Sequence, residues 1–276
     1  MKWKGRRESS NVEDRRGMNG KMVMGGGVGG IIIILLVTLL GGNPDELINS
    51  ISTNNTAGSN VTYQESAQEE ELADFVSVVL ADTEDVWSAE FNQRGLQYEE
   101  PKLVLYSGSV QSACGSATSM VGPFYCPGDY KLYIDLSFYE ELKRNFQAPG
   151  DFAMAYVIAH EVGHHVQTLL NTGNQATAAQ RNSNEYSIRF ELQADYLAGV
   201  WAHHALGKGY LEKGDLEEAL NAASAVGDDT IQKRAQGYVV PESFTHGTSE
   251  QRMRWFYKGY ENGTIEGGNT FKATNL

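Results

Sequence analysis

Cysteine is scarce in this chain, with two in 276 residues, Cys114 and Cys126, and no C-x-x-C pair. Their spacing suggests no cysteine-based zinc module. Basic residues are few outside the leading segment. Residues 1–21 hold seven Lys/Arg and three acidic residues, net +4, so the other 255 hold fifteen basic and thirty-two acidic, net −17. Such an acidic body has no basic stripe with which to release counterions from phosphates, which argues against nucleic acid as a partner. No internal repeat or low-complexity block is evident. The length leaves room for a membrane segment, a linker and one domain of about 200 residues with a sizeable core.

Charge is missing altogether from Met22 to Gly42, which centres on Ile31-Ile32-Ile33-Ile34-Leu35-Leu36-Val37. At about 1.5 Å per residue, this stretch matches the roughly 30 Å of a bilayer's hydrocarbon core. Residues 22–42 are therefore expected to form a transmembrane helix. Basic residues precede it, and Asp45 and Glu46 follow. That asymmetry predicts a basic cytoplasmic segment over residues 1–21 and the bulk of the chain outside, a single-pass protein of the inner (cytoplasmic) membrane with a periplasmic or other extracytoplasmic domain. A cleaved signal peptide is the rival reading. The long basic leader and the lack of an A-x-A-like site favour an uncleaved anchor. Residues 43–66, rich in Asn, Ser, Thr and Gly, read as a flexible linker, and residues 67–276 as the folded domain.

Within that domain the sequence His160-Glu161-Val162-Gly163-His164 stands in a helical run from Asp151 to Asn171. Histidines four residues apart lie about 40° apart around a helix and one turn along it, so both imidazoles can hold one metal ion. Glu161 lies on an adjoining part of the face, where it can reach a metal-bound water without being a ligand. Asp151 is placed to cap the helix, and Phe152, Ala155, Ile158, Ala159 and Val162 supply its apolar positions. A catalytic zinc usually takes a third protein ligand. The next helical segment, Asn184 to Leu206, contains Glu191 and Asp195 at i and i+4; one carboxylate can complete the metal shell while the other accepts the free N–H of a ligating histidine. This pair resembles the E-x-x-x-D of thermolysin-like zinc peptidases, which implies Glu191 as the third ligand and Asp195 as the partner of His160. A metzincin motif would need Gly at 167 and His at 170, where this chain has Gln167 and Leu170. His203 and His204 do not share the face of Glu191, and His165 points away from the metal.

Farther on, Thr245-His246-Gly247-Thr248-Ser249-Glu250-Gln251-Arg252 crosses the start of a helix expected to run to Tyr260. It resembles a T-H-P-x-x-x-x-R stretch of M48-type zinc peptidases, with Gly247 in place of the proline. That likeness implies His246 as a donor to the developing oxyanion and Arg252 as its supporting or substrate-orienting cation. Upstream, an acidic helical stretch from Glu69 to Arg94 carries Leu72, Phe75, Val76, Val79, Leu80, Trp87 and Phe91 as a core stripe. The clearest strands are 101–106 and 131–136, either of which could offer its edge to a peptide. Cys114 and Cys126 bracket a loop between them. In an oxidising compartment they are expected to form a disulfide contributing about 3 kcal/mol.

Nearly end to end, the chain resembles the neutral zinc metallopeptidase family of bacterial membrane-anchored proteins. The likeness runs from Trp3-Lys4-Gly5-Arg6-Arg7-Glu8-Ser9-Ser10-Asn11 through Gly122-Pro123-Phe124-Tyr125-Cys126-Pro127 and the metal motif to Phe190-Glu191-Leu192-Gln193-Ala194-Asp195 and Ser243-Phe244-Thr245-His246. It implies an α+β fold, a mainly helical zincin-like catalytic domain with a small β-sheet, here preceded by one N-terminal transmembrane helix. It also implies Zn2+ on His160, His164 and Glu191, Glu161 as general base, and a polypeptide substrate. The alternatives are a membrane-tethered scaffold with a vestigial zinc site and a zinc amidase acting on cell wall.

Overall fold

The computed structural model describes residues 1–17, 65–172 and 177–276. Strand β1 (Val12–Asp14) is followed by helix α1 (Ala67–Gln93), then strands β2 (Lys102–Tyr106), β3 (Ser109–Ser112), β4 (Gly115–Thr118), β5 (Phe124–Cys126) and β6 (Lys131–Asp135). The rest is helical: α2 (Ser137–Arg144), α3 (Asp151–Leu169), α4 (Asn184–Gly207), α5 (Asp215–Ala225), α6 (Asp228–Gln236) and α7 (Ser249–Asn262), with short single turns between.

Local chemistry accounts for the helix starts. Ser66 and Glu69 form a reciprocal capping box on α1, and Thr248 and Gln251 form another on α7. Asp151, expected to cap α3, is its first residue instead; the N–H of Phe152 is taken by Glu218 of α5 at 3.1 Å. The apolar stripe of α1 packs into one large core with β2, β6, α3, α4, α5 and α7.

The main sheet has the order β1-β2-β6-β5, with β1, β2 and β6 parallel and β5 antiparallel to β6. The two strands legible in the sequence are therefore interior. The outer strand on the α3 side is the three-residue β5. Cys114 and Cys126 are disulfide-bonded, tying the β3–β4 hairpin to the end of β5.

The leading segment overturns the expected topology. Val12 pairs with Leu103 and Asp14 with Leu105 in a parallel ladder. Arg6 pairs with buried Asp82, and Arg7 and Asn11 bond Glu84 at 3.0 and 2.9 Å. Arg16 closes onto Glu65 and the carbonyl of Glu69. A strand cannot join this sheet across a bilayer, so a cytoplasmic N-terminus with the catalytic domain on the far side of an inner membrane is ruled out by the ladder itself. Arg6 and Arg7, two of the basic residues read as a topology signal, are counter-ions for Asp82 and Glu84, carboxylates buried on α1. Among the described residues no helix is long and apolar enough to cross a membrane. Met22 to Gly42 lies outside the described residues, as does the expected linker apart from Glu65 and Ser66. Among the described residues the fold class is accordingly corrected to a mixed α/β fold of seven helices longer than one turn, a four-stranded sheet and a two-stranded hairpin, and the expected membrane helix is not among these elements.

Two close helix crossings set up the site. A Cβ at Gly163 would lie 2.9 Å from the carbonyl oxygen of Ala194, so glycine lets α3 and α4 touch between the two histidines and the Glu191/Asp195 pair. Where α4 meets α7, a Cβ at Gly199 would fall 2.0 Å from the carbonyl oxygen of Phe256. That contact brings Arg252 under Asp195.

Candidate metal centre

On α3 the residues Phe152, Ala155, Ile158, Ala159 and Val162 are almost wholly inaccessible, and the helix is held on nearly all sides. Its polar face opens on a cleft of about 640 Å³ that also receives Glu191 from α4 and His246 from the loop before α7. His160 Nε2 lies 3.2 Å and His164 Nε2 3.4 Å from Glu191 Oε2. With bonds of about 2.0–2.1 Å, neighbouring ligands of a tetrahedral zinc stand roughly 3.3 Å apart.

The hydrogen bonds make the case for a cation stronger. His160 Nδ1 faces Asp195 Oδ1 at 2.8 Å, and His164 Nδ1 faces the carboxamide oxygen of Gln167 at 2.8 Å. The Gln167 amide nitrogen is turned to Phe190 O and Gln193 Oε1, which fixes its oxygen toward the histidine. Both Nδ1 atoms must then donate, leaving two Nε2 lone pairs and a carboxylate oxygen pointing at one another. Three converging acceptors fit a divalent cation. Without one, Asp195 and Glu191 outweigh the effect of burial on His160, which alone would lower its pKa, and raise it to about 9. Burial likewise works to raise Glu191, but His164 and His160 hold it well below the usual carboxylate range.

Asp195 is completely inaccessible and fully partnered. Tyr156 Oη donates to it at 2.6 Å, and Arg252 donates through Nε at 2.8 Å and Nη2 at 3.0 Å. Arg252 also reaches Tyr156 Oη at 3.2 Å and the Val226 carbonyl at 3.1 Å. Its donors are thus directed at the partner of His160 and the chain beneath it.

Glu161 is 9% exposed on the cleft wall. Burial raises its pKa, only partly opposed by His164, His160 and a hydrogen bond from the Tyr125 backbone N–H. A raised carboxyl pKa suits a group that must take and return a proton near neutrality. On the opposite wall His246 Nδ1 meets Asp228 Oδ1 at 3.2 Å, and Asp228 Oδ2 accepts the backbone N–H groups of Thr245, His246 and Gly247 at 2.7, 2.7 and 3.0 Å.

Asp228, Gln167, Tyr156 and Phe190, whose ring stacks on His164 at 5.3 Å, were not picked out from the sequence. Gln167, three residues after His164, and Tyr156, four before His160, could have been found from helical spacing; Asp228 and Phe190 meet the site only through tertiary packing. The remaining histidines stand apart. His165 is buried among Tyr98, Tyr125 and Tyr130 with its pKa lowered by burial to about 4. His203 and His204 hydrogen-bond the carbonyls of Tyr260 and Gly263.

Comparison with known proteins agrees with this donor set. Residues 1–271 match the family described as "Putative neutral zinc metallopeptidase". The chain belongs to that family. It is 49% identical to the "Uncharacterized protein YpfJ" of Escherichia coli K12 over 283 residues, covering 98% of this chain and 99% of that one. It is 44% identical over 190 residues to the "Uncharacterized protein Rv2575" of Mycobacterium tuberculosis, covering 65% of each. No solved structure matches.

Proposed function

We propose that this member of the family is a zinc-dependent peptidase that hydrolyses peptide bonds with Glu161 as general base. The observation that carries the reading is the convergence of His160 Nε2, His164 Nε2 and Glu191 Oε2, with Glu161 beside them in an open cleft. Three protein donors leave a fourth position for water, whereas a closed structural site would use four. His160, His164 and Glu191 would hold the zinc, which when bound would supply Lewis acidity for activating water at about neutral pH. Glu161 accepts the proton of the attacking water and passes it to the leaving amine. Its low exposure keeps the carboxyl poorly hydrated, so the proton is held and released on one face of the cleft. His246, oriented by Asp228 through Nδ1, turns its Nε2–H to the oxygen that gains charge. Asp195, itself held by Arg252 and Tyr156, keeps His160 in the tautomer that leaves Nε2 free.

The test pairs metal analysis with turnover. Full-length protein should carry one zinc per chain, lose it in His160→Ala and His164→Ala, and keep it in Glu161→Gln while losing hydrolysis of a denatured protein substrate. Full zinc occupancy in the double alanine variant would defeat the site, and unchanged turnover in Glu161→Gln would defeat the mechanism.

A further inference from the structure

The cleft's two flanks differ in chemistry. One holds the polar groups described above. The other is built from Met120, Val121, Phe138, Phe146, Val157 and Ile231. Val157 lies one turn before Glu161 on α3, and Ile231 follows Asp228 by three residues on α6, so this wall begins directly beside the reacting groups. The Phe138 and Phe146 rings are 6.2 Å apart, and the Arg234 guanidinium lies over Phe146 at 5.7 Å. Met120 is 56% exposed, a large apolar side chain left facing solvent at the cleft. The polar neighbours do not alter the character of the wall. Gln232 is committed to Ser243 and Val240, Asn145 and Arg234 are exposed, and Glu141 is half-buried. Above, β5 uses one side for β6 while Phe124 and Tyr125 line the cleft.

We infer that the site takes an extended polypeptide bearing a bulky apolar side chain next to the scissile bond, and not the small and charged peptides of a cell wall. The inference rests on the peptidase reading above and narrows its substrate class. An isobutyl or benzyl group entering this flank loses contact with water and gains contact with six apolar side chains. The carboxylates and ammonium groups of wall peptides would lose hydration against this wall, where only the exposed Arg234 and the half-buried Glu141 carry charge to offset the loss. Main-chain contacts to an extended peptide are indifferent to sequence, and the wall supplies the choice of side chain.

The test uses zinc-loaded full-length protein and three small metal-binding probes in titration calorimetry: acetohydroxamate, isovalerohydroxamate and succinic monohydroxamate. Isovalerohydroxamate, with three more apolar carbons, should bind about 10- to 50-fold more tightly than acetohydroxamate. Succinic monohydroxamate should gain nothing. Ile231→Glu should shrink the first ratio to within about threefold. Met120→Glu, at a site exposed enough to tolerate a charge, should shrink it in the same direction if Ile231→Glu does not fold. Equal binding of the three probes, or an unchanged ratio in both variants, overturns the inference. In parallel, casein digests should be cut next to Leu, Ile, Phe or Met. Cuts indifferent to neighbouring side chains keep the peptidase reading and sink the substrate class, and release of wall peptides without casein cleavage sinks it too. Probe selectivity without any hydrolysis does the reverse, upholding the apolar choice and retiring the peptidase reading.

Discussion

His160 and His246 each rest on an aspartate through Nδ1, yet the two pairs sit in different surroundings. The His160–Asp195 pair is 2.8 Å apart with side chains 8% and 0% exposed, whereas His246–Asp228 is 3.2 Å apart with side chains 36% and 6% exposed. Asp195 is gripped by side chains from two other helices, Tyr156 of α3 and Arg252 of α7. Asp228 is gripped by the backbone of one loop, Thr245 to Gly247. The first aspartate is therefore part of how three helices pack, and the second is part of how one loop is shaped. The same pair chemistry should yield a stability effect in one place and a rate effect in the other.

The largest effect should come from Arg252→Met. It breaks a buried ion pair and leaves His160 as the remaining partner of Asp195 that can carry positive charge, and removing one member of a buried pair typically costs about 3–5 kcal/mol. Urea denaturation of the zinc-free protein measures this directly. A loss under about 1 kcal/mol would mean that Tyr156 and His160 suffice for Asp195, and the contrast between the pairs would fail. Next in size is His246→Ala. Its expected cost is about 10² to 10³ in kcat, with zinc stoichiometry unchanged and the denaturation midpoint little changed above pH 7. Loss of zinc in that variant would place His246 among the ligands instead.

A third histidine sharpens the comparison, because the partner of His164 is an amide. Gln167→Ala should lower zinc affinity about 10-fold, at the small end of what such supporting groups contribute, since a neutral partner adds less basicity to the ring than a carboxylate does. Competition with a chelator of known affinity gives the number. Unchanged affinity would mean that stacking on Phe190 alone orients His164.

The readable parts of this molecule are the local ones. His160, Glu161 and His164 share one turn of one helix, so their spacing alone brings them together, and the Glu191 and Asp195 pair follows the same rule one helix later. The strands β2 and β6 were likewise set by near neighbours. Asp228 carries no spacing signal, since its partners lie 17 to 19 residues away on a loop. The short strands β1 and β5 are too brief to show alternation. The leading segment misled for a physical reason. Arginines beside an uncharged run satisfy a topology rule, yet the same arginines neutralise Asp82 and Glu84 within the fold, and a charge count cannot tell these uses apart.

The smallest effect concerns pH and belongs to the outer pair. At Asp228 burial works to raise the pKa, but the hydrogen bond and charge of His246 and the loop N–H groups lower it overall. At His246 burial works to lower the pKa, but Asp228 and the charge of Glu191 raise it. A lowered carboxyl pKa gives stability that is present above the ordinary value of about 3.9 and lost as pH falls through the folded value. A raised histidine pKa gives stability that is complete below about 6.5 and lost as pH rises through the folded value. Both contributions coexist between roughly pH 4 and 6.5. The stability gap between the parent and Asp228→Asn should therefore be widest in that window and narrow on either side. His246 is a third exposed, so solvent screening keeps the gap small. Denaturation of both proteins across pH 4 to 9, each at the same zinc concentration, reads the gap directly. If it widened steadily above pH 7, Asp228 would be stabilising the loop through its backbone bonds alone, and His246 would owe its orientation to something other than the carboxylate.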